Sequence, residues 1–95
     1  MQAATLRLPA ELTHAQARAC WLALETQVGA SDQARVAIDA SALTQFDSSA
    51  LAVLLACRRT ALAAGKSLVV LGLPAGLTSM AALYGVQALL LEPSV

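Results

Sequence analysis

The chain has 95 residues, six Lys+Arg against six Asp+Glu, 58% hydrophobic and 13% charged residues, and a mean hydropathy of +0.66. That length holds one core, expected to be a single domain over residues 1–95, and so apolar a chain is not disordered. Zero net charge and three aromatic residues (Trp21, Phe46 and Tyr84) exclude a nucleic-acid binder, which needs clustered basic charge and stacking platforms.

In chain order, Ala4-Thr5-Leu6-Arg7-Leu8 alternates weakly and stops at Pro9, which predicts a short edge strand. Thr13-His14-Ala15-Gln16 has the form of a capping box. Behind it Ala17, Trp21, Leu24 and Val28 recur at helical spacing, and Gly29 supplies a stop. Arg35-Val36-Ala37-Ile38-Asp39 reads as a central strand and Ser41–Phe46 as the connection leaving it. Asp47-Ser48-Ser49 opens a second helix that runs to about Ala64 and ends at Gly65.

Ser67-Leu68-Val69-Val70-Leu71 reads as a second buried strand. A third helix spans Pro74 to Tyr84 and closes at Gly85, with Ala88–Leu91 as a last short strand or apolar tail. Strands alternating with helices predict an α/β fold: a mixed sheet of about four strands, parallel pairs within it, and three helices mostly on one face.

The apolar excess resides in 22 Ala and 18 Leu. A membrane span is one explanation, since Ser67 to Leu91 holds 25 residues without a charge. Gly72, Pro74, Gly76 and Gly85 interrupt that stretch and suit turns between short buried elements. The start, Met1-Gln2-Ala3-Ala4, lacks the form of a signal peptide. Soluble and cytoplasmic is the expectation, without direct membrane insertion. Cys20 and Cys57 sit in apolar helical patterns as structural thiols. With His14 the lone histidine, no metal site is expected.

Two helices carry the rest of the excess. In the second, Leu51, Leu54, Leu55 and Leu62 form a core stripe, and Ala50, Val53, Cys57 and Ala61 a second apolar stripe. In the third, Leu77, Met80, Ala81 and Leu83 face inward, and Thr78, Ser79, Ala82 and Tyr84 add no charge. An uncharged outer helix face marks burial against another protein, or simply an Ala-rich composition.

Catalytic signals are absent. No phosphate-cradling GxxxxGK[ST] occurs, Asp39 and Asp47 form no evident acid–base pair, and Ser48 has no GxSxG elbow around it. The expectation is a non-enzyme with no cofactor. Asp47-Ser48-Ser49 is the most informative site, with two readings. It caps a helix, or Ser48 is a hydroxyl switch whose phosphorylation changes the surface shown to a partner.

Ile38-Asp39 in a strand, then Phe46-Asp47-Ser48-Ser49-Ala50-Leu51 entering a helix, resembles the STAS family of small α/β domains. Gly65-Lys66 before a strand and Leu83-Tyr84-Gly85-Val86 ending the late helix fit as well. Leu8–Thr13, Trp21, Ala82–Val86 and Leu91-Glu92-Pro93 look like the MlaB-type subgroup, STAS subunits of phospholipid ABC transporters. The resemblance implies a STAS-like fold and a domain that binds an MlaF-like ATPase subunit from the cytoplasmic side. That subunit would work with a membrane permease in a complex that maintains outer-membrane lipid asymmetry.

It also places the family's hydroxyl-bearing switch on Ser48 and the partner surface around Asp47, Ser48, Ser49, Ala52, Arg59 and Tyr84. Chains of the subgroup commonly have Thr followed by Gly-Gly where this one has Ser48-Ser49-Ala50. In that respect it resembles the anti-sigma factor antagonists, whose serine is phosphorylated by a partner kinase. The alternative function is therefore such an antagonist.

Overall fold

A computed structural model describes residues 4–86, in which the elements follow the expected alternation. They are β1 (Ala4–Arg7), β2 (Glu11–Leu12), α1 (His14–Ala30), β3 (Arg35–Asp39), β4 (Gln45–Phe46), α2 (Ser48–Ala63), β5 (Ser67–Leu71) and α3 (Ala75–Leu83). The strand expected at Ala88–Leu91 lies outside the described residues.

The main sheet has the order β1-β3-β5, so Arg35–Asp39 is central, as its β-branched run implies. Both pairings are parallel, with Leu6 opposite Ile38 and Ile38 opposite Val70. Alternation then puts Leu6, Val36, Ile38, Leu68 and Val70 on one face. Val36, Ile38 and Val70 are buried in the hydrophobic core and the half-buried Leu6 and Leu68 pack against it, so the helices cover that face.

Three details differ from the sequence reading. All described pairings are parallel, and they form sheets of three and two strands. The two-stranded sheet pairs β2 with β4, inside segments too short to show a period. It is held by Ala10, whose carbonyl accepts the N–H groups of Thr44 and Gln45 at 2.8 and 3.0 Å. Finally, β5 is not a buried strand: it borders the three-stranded sheet, with Val70 buried and Leu71 exposed.

Helix α1 also runs past its expected stop. Gly29 lies inside it and does not take the left-handed conformation of a glycine cap. The Lys66 ammonium terminates it instead, donating to the carbonyl of Val28 at 2.7 Å and to that of Ser31. A cation on the last carbonyls suits the negative end of the helix dipole.

Both apolar stripes of α2 face the interior, with Leu62 the exception. Ala50, Leu54, Cys57 and Ala61 are fully buried, and Val53 nearly so, whereas Leu62 is 50% exposed. Leu51 is buried and Leu55 packs against the core, as expected, and the second stripe joins them, its small side chains letting α2 approach α1 and the sheet closely. Leu83 on α3 differs likewise: it is 84% exposed, while Leu77 and Ala81 fill the interior. Among the described residues most leucines are therefore buried or half-buried, whereas most alanines lie on the surface. No helix among the described residues is long and apolar enough to cross a membrane.

This assignment separates two leucines of one helix. Leu54→Ala should cost about 2–5 kcal/mol and lower Tm by roughly 10 °C or more. Leu62→Ala should stay within about 0.5 kcal/mol of the parent. Thermal melts of the two variants check it, and equal losses would contradict the assignment.

Candidate functional site

Parallel strands connected through helices bring all three helix N-termini to one edge of the domain. Arg7, Asp39 and Leu71 are neighbours in register at the carboxyl ends of β1, β3 and β5. The chain leaves that edge into the starts of α1, α2 and α3. Two close approaches hold it together. Gly72, at φ +68°, lies so near Ser41 that a Cβ would meet the Ser41 Cβ at 3.0 Å. Gly76, in the first turn of α3, lies against the Phe46 ring just before α2.

Asp47 is the organising residue. Its Oδ1 accepts the Ser49 N–H at 2.8 Å, which caps α2, and its Oδ2 accepts the His14 N–H at 3.0 Å, at the start of α1. One carboxylate thus satisfies donors at two helix N-termini, where negative charge is favoured. These two N–H donors, His14's first, hold the carboxyl below the usual aspartate range. Thr13 supports the arrangement by donating its N–H and hydroxyl to Gln16 Oε1 at 2.9 and 2.7 Å. The Gln16 half of the expected capping box is therefore in place.

The cap of α2 therefore falls on Asp47 and not on Ser48. Ser48 occupies the first position of α2, exposed, and makes none of the side-chain hydrogen bonds found among the described residues. Ser49 is half-buried beneath it. Ser48, Ala52 and Arg59 are all exposed, and at 3.6 residues per turn they fall within roughly 40° of one line along α2. That line is diametrically opposite the buried Ala50-Leu54-Cys57-Ala61 stripe. Over roughly 16 Å of helix, Arg59 supplies its one charge.

Tyr84 is 60% exposed, at the C-cap of α3. It follows Gly76 by eight residues, or about 12 Å of helix. It therefore stands at the other end of α3 from the Phe46 contact beside α2.

Sequence reasoning missed the cleft between α1 and α2. It is an open recess of about 270 Å³, lined by Ala17, Arg18 and Trp21 on one side and by Ser49, Ala52, Val53 and Ala56 on the other. Each residue was visible, but only the packing of the two helices makes them neighbours. The indole N–H of Trp21 is buried without a hydrogen-bond partner. Burial also raises the thiol of Cys20, and pushes that of Cys57 up to about 12, so neither is prepared as a nucleophile. No cluster of three or more His, Cys, Asp and Glu among the described residues is placed to hold a metal.

The Asp47 geometry fixes a pH dependence. Its carboxyl is depressed in the folded state, so its stabilisation is complete above the unfolded value, near pH 4, and is lost as pH falls through the folded value. Asp47→Ala should lower Tm by several degrees at pH 7, with the gap to the parent closing as pH falls below about 4. Melts across that range test this; a gap independent of pH would mean that the carboxylate charge has no part in the cap.

A family model described as "Mlab, STAS domain" matches residues 1–92. No curated protein matches the chain. The match spans the capped edge, the face of α2 and the cleft alike, and with it the chain belongs to the STAS domain family, in its MlaB-type branch.

Proposed function

We propose that this domain is a non-enzymatic docking subunit of an Mla-type phospholipid ABC transporter. It binds the cytoplasmic ATPase subunit through the outer face of α2 and is peripheral to the inner membrane through its partners. The observation that carries the reading is the division of labour at Asp47-Ser48. The carboxylate does the capping, leaving Ser48 exposed in line with Ala52 and Arg59. A helix face with small side chains and a single charge suits close packing against a protein, because little has to be desolvated there. The MlaB-type family match supports the choice of partner.

A second reading rests on the same hydroxyl. Ser48 is open to a kinase, at a helix N-terminus that tolerates negative charge. An anti-sigma factor antagonist released by phosphorylation would use that position.

Co-purification with the cognate ABC ATPase tests the first reading. The parent chain should be retained, and Ser48→Glu and Ala52→Arg should each weaken retention at least about tenfold, on the scale of a residue central to an interface, with Tm and circular dichroism unchanged. Failure of the parent chain to bind the ATPase would reject the transporter reading. Retention undiminished in both variants would remove α2 from the interface. Phosphate on Ser48 of the native chain, together with capture of a kinase-like partner, would favour the antagonist.

A further inference from the structure

We propose that the cleft between α1 and α2 receives an aliphatic side chain of the ATPase partner, with a carboxylate from the same segment paired to Arg18. The inference rests on the docking reading above and extends that surface from α2 onto α1. At about 270 Å³, and open to solvent, the recess has room for an inserted side chain. Its floor and walls are mainly apolar, from Ala17, Trp21, Val53 and Ala56, so burying an aliphatic group there removes apolar surface from water on both partners.

Charge fixes the second half of the occupant. Arg18 is exposed and is the one charged residue in the lining, with no carboxylate among the others. A guanidinium at the rim of an apolar recess selects a carboxylate on the incoming segment. The cleft is continuous with the proposed face: Ala52 belongs to both, so a segment lying along the Ser48–Arg59 line passes over its mouth.

Binding of the ATPase to the full chain, followed by calorimetry, tests this with variants that leave the α2 line intact. Arg18→Glu changes an exposed side chain and should raise Kd at least about tenfold, and raised salt should weaken the parent complex more than an Arg18→Gln complex. Ala56→Leu fills the recess and should raise Kd similarly, with Tm confirming the fold. If Ala52→Arg abolishes binding while Arg18→Glu and Ala56→Leu bind like the parent, the cleft assignment is overturned and the docking reading stands. If the parent chain does not bind the ATPase at all, both fall. A dimer of the isolated chain that Ala56→Leu dissociates would give the cleft to a second copy and overturn the proposal.

Discussion

The Asp47 carboxylate ties two helices to one point, and the functional edge of the domain follows from that. Each helix begins with backbone N–H groups that have no partner within the helix, and burying such an end unsatisfied is costly. Here α1 and α2 meet with their N-termini on opposite oxygens of one side chain. That contact fixes how the two helices meet at this end. It also relieves Ser48 of any capping duty, so the hydroxyl can stand on the surface. At the other end of α1, the Lys66 ammonium does the complementary work on carbonyls. The helix dipole is matched by a negative group at its start and a positive one at its finish.

Between these polar ends the domain is held by apolar packing. The inner face of the three-stranded sheet, the small-residue stripe of α2, and Leu24, Leu77 and Ala81 form one interior. Cys57 is a buried member of it, and its thiol is correspondingly hard to ionise. The proposed division of roles is therefore simple. Packing fixes the scaffold, two charged side chains fix the helix ends, and the outward line of α2 is available to a partner.

Much of this architecture was legible in the sequence, for identifiable reasons. The central strand announced itself by Val36 and Ile38, the start of α2 by Asp47-Ser48-Ser49, and its end by Gly65, which takes φ +74°. On α2, Leu51, Leu54 and Leu55 were legible as core, whereas the inward place of Ala50, Cys57 and Ala61 was not, because small side chains suit an outer face as well. Only three-dimensional packing selects the Ala50-Cys57-Ala61 side over Leu62. The paired strands β2 and β4 were invisible because two residues have no period. The second acceptance by Asp47 joins residues 33 apart, and the cleft joins two helices. Such long-range neighbours leave no local pattern.

The central claim is that the exposed line of α2 is the surface on which the partner sits. Photo-crosslinking in the assembled complex tests it most directly, with the reactive residue placed at Arg59 in one variant and at Val69, on the opposite face of the sheet, in another. The account predicts a covalent adduct to the ATPase from position 59 and none from position 69. An adduct from position 69 with none from position 59 would contradict it.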